Sequence, residues 1–214
     1  MMKSLAIFGL AAWATAAMAG GLDSLELFVK TVKTGRADFT QVVTSPAKDG
    51  QAPRAKTSSG TFEFSRPNRF KFIYQKPFEQ SIVADGQVLW LHDVDLNQVT
   101  QRKQAEALNS TPAALIAAAP DLRALQADFT LADAPEKDGL QWVDAIPKSR
   151  DSQLQRIRVG FRPGDKTVTL AALEILDSFG QRSLLTFNQV EVNPRLASDT
   201  FQFKPPVGAD LIRQ

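Results

Sequence analysis

The spacing of apolar residues predicts one helix at the start of the folded chain and a long series of strands after it. One helical face is formed by Leu25, Phe28, Val29 and Val32, at the i, i+3, i+4, i+7 spacing. This spacing predicts a helix over residues 22–34 that stops at Gly35. From residue 37 the period becomes two, which is typical of antiparallel strands joined by Asp-Gly, Pro and Asn turns. Strands are predicted over residues 37–44, 60–65, 69–74, 80–84, 88–92, 98–102, 128–132, 140–146, 154–161, 167–176, 182–192 and 200–203.

A helical insert interrupts the strand pattern once. Thr111 and Pro112 resemble a helix start, because proline suits the first helical turn, and residues 113–119 are almost entirely apolar. Pro120 ends that run, and residues 121–125 predict a second short helical turn. The Pro-, Lys-, Gly- and Ser-rich residues 45–58 predict an exposed hairpin end.

Several predicted strands carry apolar side chains on both faces. Ile73 lies between Phe72 and Tyr74, and Leu184 stands beside Leu185. A sheet with one face in water alternates more cleanly. A mainly β fold with a strongly curved sheet follows, and its concave side is either a plain core or a ligand cavity.

The first nineteen residues have the pattern of a secretory leader. Lys3 precedes an apolar run over residues 5–17, and Ala17-Met18-Ala19 is an A-x-A cleavage site. The run is too short to cross a bilayer, which needs about 20 residues. We expect cleavage after Ala19, a single domain over residues 20–214, and a location in the periplasm or the exterior of a bacterium. Without any cysteine, the chain has no residue to carry a lipid anchor.

Residues that could support catalysis or hold a metal are scarce. His92 is the one histidine, cysteine is absent, and no G-x-S-x-G nucleophile motif occurs. Asp93, Asp95 and Asn97 resemble the opening of a calcium loop, but Gln98 stands where that loop needs glycine. We therefore expect no catalytic residue, no metal site, no cofactor and no enzymatic activity. The formal net charge of +2, or +1 once Lys3 is removed, does not favour nucleic-acid binding.

Five short segments follow one another in order along nearly the whole mature chain. They are Phe39-Thr40-Gln41; Gly60 to Phe70, with Arg66-Pro67-Asn68 inside it; Ser81 to Gly86 running into Leu89-Trp90; Thr111-Pro112 with Leu115-Ile116-Ala117; and Phe201 to Pro206. Each segment alone is a common pattern. Their ordered combination with a secretory leader resembles LolA, the family of periplasmic lipoprotein carriers.

The resemblance implies an incomplete antiparallel β-barrel of about 11 strands, covered by the N-terminal helix and the central helical insert. It also implies a hydrophobic cavity for the acyl chains of lipoproteins. The implied partners are acylated lipoproteins, an inner-membrane ABC-type releasing complex and an outer-membrane receptor, with the carrier acting as a monomer.

Within the family, an arginine of the R-P-N segment ties the sheet to the lid, and it matches Arg66. The lid residues that it reaches correspond to Val29 on the first helix and to Ile116 and Ala117 on the insert. Arg69 departs from the family pattern, which has an apolar residue there. An outward Arg69 is harmless, whereas an inward one puts the register of that strand in doubt.

Candidate cavity-lining residues are aromatic or long apolar side chains on the predicted helices and strands. They are Phe28, Phe62, Phe64, Phe72, Trp90 and Leu115. Plain core packing is the alternative for each, because alternation does not say which face of a strand is concave.

Two other functions stay open from the sequence: a carrier of a different lipid, and a regulatory protein of the same fold that senses mislocalised lipoproteins. An interior filled by the protein's own side chains, without room or route for a hydrocarbon, would count against any carrier.

Overall fold

The computed structural model describes residues 20–47, 52–107, 119–150, 152–164 and 167–214. Within these ranges the helices are α1 (Gly21–Thr31), α2 (Gln104–Ala107) and α3 (Leu122–Asp128). The strands are β1 (Thr34–Ser45), β2 (Arg54–Ser65), β3 (Arg69–Lys76), β4 (Gln80–Ala84), β5 (Val88–Asp93), β6 (Gln98–Lys103), β7 (Phe129–Lys137), β8 (Leu140–Pro147), β9 (Leu154–Pro163), β10 (Val168–Asp177), β11 (Arg182–Val192) and β12 (Asp210–Arg213). Among the described helices, none has both the length and the apolar composition that crossing a bilayer requires.

All twelve strands belong to one sheet, in the order β12-β6-β5-β4-β3-β2-β1-β11-β10-β9-β8-β7. Neighbouring strands are antiparallel, except that β12 runs parallel to β6. The edge strands β12 and β7 do not pair with each other, so the barrel is not closed. The prediction of a mainly β, incomplete barrel is confirmed, with twelve strands instead of about eleven.

Helix α1 begins one residue before its predicted start and ends three residues early. The carboxylate of Asp23 accepts a hydrogen bond from the backbone N–H of Gly20, 3.2 Å away, and satisfies a free donor at the helix start. Thr34 already belongs to β1. Gly35 does not stop the helix: it lies inside β1, where a Cβ would come within 2.2 Å of the Phe64 ring. Its role is to let that ring pack against the strand.

The main core lies between α1 and the concave face of the sheet. Leu25, Phe28 and Val29 of α1 are buried, and the helix packs against the concave face of β7 to β10. Because successive side chains lie on opposite faces of a sheet, every second residue of these strands lies on the concave face. The concave face is therefore apolar across most of its width.

The C-terminal segment covers part of the convex face. Phe201 and Phe203 were predicted to lie in a strand over residues 200–203, and this prediction is wrong: they form a turn and an extended segment. Phe203 contacts Trp90 on the convex side, with ring centroids 5.5 Å apart. Phe-x-Phe alternation occurs in any extended segment that buries one side, whether or not the segment pairs with a strand. Alternation alone therefore could not show that residues 200–203 are not a strand. The packing of this segment covers Trp90 and His92 on the convex face of β5.

Only part of the predicted helical insert lies in the described residues. The predicted helix start at Thr111 and Pro112 falls outside them. The predicted second turn is α3, whose N-cap Asp121 accepts a 2.8 Å hydrogen bond from the N–H of Ala124. The hairpin predicted over residues 45–58 is narrower than expected, because β1 continues to Ser45 and β2 begins at Arg54.

Candidate functional site

The concave face carries a continuous cluster of aromatic rings. Strand pairing brings Phe62 of β2 beside Phe72 of β3, and their ring centroids lie 4.3 Å apart. Phe187 of β11 extends the cluster to the other side, 5.5 Å from Phe62. The remaining members on the sheet are Phe39, Phe64, Phe70, Tyr74 and Phe161. These rings form an apolar surface that needs a cover.

Gly60 makes the cluster continuous across β2. It pairs with Phe39 on one side and with Tyr74 on the other. Because glycine has no side chain, these two rings meet above it, with centroids 5.0 Å apart. A Cβ at Gly60 would also lie only 1.8 Å from the carbonyl oxygen of Ile73, so the tight approach of β2 and β3 requires glycine.

Helix α1 covers the part of this aromatic surface that lies around Phe64 and Phe161. Phe28 is 2% exposed and contacts Phe64 and Phe161, at centroid distances of 6.0 and 5.4 Å. The space left between the helix and the sheet is a cavity of about 10 Å³. This is about the least space that a single water occupies. This cavity, which lies among Phe28, Phe62 and Phe64, does not hold a hydrocarbon chain while α1 keeps its position.

Arg66 ties the sheet to the elements that cover it. Its Nε donates a hydrogen bond of 2.8 Å to the carbonyl of Val32, at the end of α1, and its Nη1 donates to the carbonyl of Ala119. The guanidinium lies over the rings of Phe28 and Phe64, 5.0 and 5.5 Å from their centroids. In this way one side chain from the turn after β2 binds both the end of α1 and Ala119, which lies three residues before α3. We call α1, Ala119 and α3 the cover.

The charge of Arg66 is buried, and no carboxylate among the described side chains forms an ion pair with it. The residue is 8% exposed, and burial lowers the pKa of its guanidinium to about 10. The group is still protonated at neutral pH. Its Nη2 atom has no hydrogen-bond partner among the described residues. Burying this charge has a desolvation cost, which offsets part of what its two hydrogen bonds contribute to the closed arrangement.

The partners of Arg66 differ in part from those implied by the resemblance. The implied helix residue was Val29, but Arg66 donates to the carbonyl of Val32, which lies three residues later on the same apolar face. The Val29 carbonyl instead accepts a 3.3 Å hydrogen bond from Lys33 Nζ. Val32 is the C-cap of α1, and its carbonyl is free because the helix ends there. The end of the predicted helix is therefore the sequence feature that could have pointed to the Val32 carbonyl as an acceptor.

Two other implied latch residues, Ile116 and Ala117, lie outside the described residues, as does the candidate liner Leu115. Ala119, which the sequence did not single out, accepts the second hydrogen bond of Arg66. Arg69 points away from the cavity side: it lies over the Phe201 ring, 5.6 Å from its centroid, and donates to Ser65 Oγ. The register of β3 therefore stands.

The structure brings together four of the six candidate liners. Phe28, Phe62, Phe64 and Phe72 meet in the closed interior. Trp90 does not join them: it pairs with Val83, one residue out of phase with the concave side chains of β4, and contacts Phe203. The sequence did not single out Phe39, Phe70, Phe161 or Phe187, which share that interior. Correct strand pairing, and not alternation alone, is the signal that places them.

A groove opens at the end of the barrel where β3 finishes and β4 begins. Its volume is about 830 Å³, and Tyr74 and Gln41 line it where it meets the aromatic surface. Tyr74 donates to Gln41 Oε1 at 3.0 Å, and Gln41 Nε2 donates to Ser183 Oγ at 2.7 Å. Burial raises the pKa of the Tyr74 phenol to about 12. This row of polar contacts separates the closed interior from the groove.

The residues that the sequence analysis considered for catalysis or calcium binding make structural contacts. His92 packs against Phe203, with ring centroids 5.9 Å apart. Asp93 closes the β5–β6 turn by accepting from the N–H of Leu96 at 3.1 Å. In the part of the chain that the structure describes, no three His, Cys, Asp or Glu side chains are grouped as metal ligands would be.

Comparison with known proteins adds to this geometry. The family model described as outer membrane lipoprotein carrier protein LolA matches residues 30–204. An outer-membrane lipoprotein carrier protein of Albidiferax ferrireducens is 75% identical over 213 residues, covering 100% of both chains. One from Methylibium petroleiphilum is 55% identical and covers 94% of this chain and 93% of its own.

Solved structures agree on the fold. A LolA-superfamily protein from Nitrosomonas europaea superimposes with a TM-score of 0.52 at 10% identity, covering 87% of this chain and 99% of its own. At that identity the likeness concerns the fold alone. The family match and the full-length relatives establish the relationship, and the chain belongs to the LolA family of outer-membrane lipoprotein carrier proteins.

Proposed function

We propose that this protein is a non-enzymatic, monomeric periplasmic carrier whose leader is removed after Ala19. It shields the acyl chains of lipoproteins released by an inner-membrane ABC-type complex and delivers them to an outer-membrane receptor. The observation that carries the proposal is the aromatic concave surface, held shut by a cover that a single arginine ties down. Family membership supports the lipoprotein as cargo.

The hydrophobic effect supplies more than enough affinity for acyl chains. Each CH₂ group moved from water into an apolar site contributes roughly 0.8 kcal/mol, so a chain of about 16 carbons contributes on the order of 10 kcal/mol before other costs. A carrier that bound this tightly would not release its cargo. The protein therefore needs a competing state that fills the same space, and the closed interior is that state.

Arg66 sets the balance between the closed and the loaded state. Its two hydrogen bonds to cover carbonyls, each about 1.5–3 kcal/mol for a charged donor, favour the closed state. Loading breaks them, which weakens cargo binding by the same amount. The desolvated charge offsets part of this gain. The latch is thus strong enough to promote release and weak enough for acyl chains to displace.

The groove beside Tyr74 is the access route that we propose for the acyl chains. It joins solvent to the end of the aromatic surface, and its volume lies within the range of small-molecule sites. Phe78 and Leu96, each 69% exposed, flank it and offer apolar contact to an arriving chain. An acyl chain that passes Tyr74 has to separate its phenol from Gln41.

Mass spectrometry of material extracted from the protein, isolated from its own periplasm, tests the cargo. We expect triacylated peptides of lipoproteins. Free lipid without peptide would replace the proposal with a carrier of another lipid. A stable protein complex without bound lipid would point to the sensing role.

Substitution of Arg66 by leucine tests the latch. We expect Arg66→Leu to load lipoprotein normally and to pass it to the receptor about tenfold less efficiently, because the closed state loses two charged hydrogen bonds. A transfer assay between purified carrier and receptor measures this. Arg66→Lys is the matched control, since it keeps the charge but lacks the fork that reaches two carbonyls, and we expect an intermediate loss. Normal hand-over by Arg66→Leu would reject the latch.

Tyr74 is the single tyrosine of the chain, so phenolate absorbance reports on it alone. We expect the folded, empty protein to form phenolate with a midpoint of about 12, against about 10 after denaturation. Because the folded state keeps this proton and the unfolded state loses it, the Tyr74 contribution to stability falls as pH rises from about 10 to 12. A midpoint near 10, with circular dichroism showing intact strands, would mean that Tyr74 does not close the interior.

A further inference from the structure

The short connection between α1 and β1 is held from two sides. Residues 31–34 leave the helix and enter the sheet, and a helix end leaves carbonyl groups without partners. Arg66 approaches from the β2–β3 turn, where its side chain binds the Val32 carbonyl and its backbone N–H binds the Lys33 carbonyl at 2.8 Å. Asn193, which directly follows β11, approaches from the other side.

Asn193 binds this connection with every polar group of its side chain. Its Oδ1 accepts from the N–H groups of Lys33 and Thr34, at 2.7 and 3.3 Å. Its Nδ2 donates to the Thr31 carbonyl at 3.0 Å. The backbone N–H of Asn193 also donates to the Thr34 carbonyl at 2.9 Å. Asn193 therefore gives hydrogen-bond partners to both N–H and carbonyl groups of the connection.

The backbone at Asn193 is shaped for this contact. Its φ is 54°, in the left-handed region, where asparagine is better tolerated than most other residues. The residue before it, Val192, still pairs with Gly35 of β1. Asn193 is therefore fixed to the sheet on the same side as the connection, and it does not depend on the position of α1.

The opposite end of α1 is held differently. The N–H of Leu22 donates to Asp133 Oδ1 at 2.8 Å, and Ser24 Oγ donates to Gln141 Oε1. These contacts join the helix to β7 and β8, across the space that the acyl chains need. Loading has to break them along with the side-chain bonds of Arg66, whereas the bonds that join Asn193 to Lys33 and Thr34 lie outside that space.

We propose that Asn193 is the positioning residue on which α1 pivots. The helix swings from its N-terminal end and carries Val32 away from Arg66, while Lys33 and Thr34 stay bound to the sheet. This inference rests on the proposed function, because it describes how the cover moves when cargo enters. The pivot returns the Val32 carbonyl to Arg66 after each release. Asn193 acts on cargo through Arg66 and does not touch the cargo.

Amide hydrogen exchange measured residue by residue, with and without a synthetic triacylated lipopeptide, tests the motion. We expect loading to remove protection at Leu22 and to leave the amides of Lys33 and Thr34 protected. Equal loss of protection at all three amides would overturn the pivot while leaving the carrier intact. Failure of the lipopeptide to bind at all would instead overturn the proposed function.

Variants at Asn193 test its role in the empty protein. Asn193→Gly tolerates the left-handed φ and removes the side-chain bonds, and we expect Lys33 and Thr34 to exchange about tenfold faster. Asn193→Asp keeps the acceptor oxygens and should preserve their protection. Unchanged exchange in Asn193→Gly would contradict the assignment.

A double variant separates positioning from simple stability. We expect Asn193→Gly alone to lower the hand-over of lipoprotein in the transfer assay several-fold. Asn193→Asp should hand over lipoprotein about as well as the unsubstituted protein. Because Asn193 acts through Arg66, adding Asn193→Gly to Arg66→Leu should lower hand-over no further. An additive loss in the double variant would overturn the proposed link between the two residues.

Discussion

An apolar concave surface in water needs a partner, and this requirement governs the rest of the structure. Exposed apolar area costs roughly 25 cal/mol for each Å², and the aromatic cluster spans strands from β3 to β9. In the empty protein α1 supplies the partner, with Phe28 at the centre of the contact. In the mechanism that we propose, acyl chains take its place in the loaded protein. The helix and the cargo would then compete for one surface, and this competition would make binding reversible without an energy source.

The polar groups near this surface adjust the competition. Arg66 adds hydrogen bonds to the closed state, but its charge is buried beside phenylalanine rings, and no described carboxylate pairs with it. A carboxylate in that position would have made the closed state harder to open. Asn193 lies at the edge of the surface and holds only the connection between α1 and β1. In our proposal, Arg66 sets how firmly the cover is closed, and Asn193 sets where α1 returns.

Much of this arrangement could be predicted from the sequence. Alternation and turn residues placed β3, β4 and β5 within two residues of their bounds, and the apolar face of α1 identified Phe28. The face that Trp90 occupies could not be predicted, because alternation gives two faces and pairing decides which is concave. Phe201 and Phe203 were misread because packing one apolar side does not require strand pairing. Asn193 gave no sequence signal, since a lone asparagine after a strand is an ordinary turn residue.

A disulfide that fixes α1 to the sheet tests the central claim most directly. A Cβ at Gly20 would lie 3.0 Å from the Asp133 carboxyl carbon, so Gly20→Cys with Asp133→Cys is placed to form a bond, and the chain has no other cysteine. The account predicts that the oxidised protein fails to bind a triacylated lipopeptide and that reduction restores binding. Equal binding by the oxidised and the reduced protein would show that acyl chains do not need the space that α1 fills.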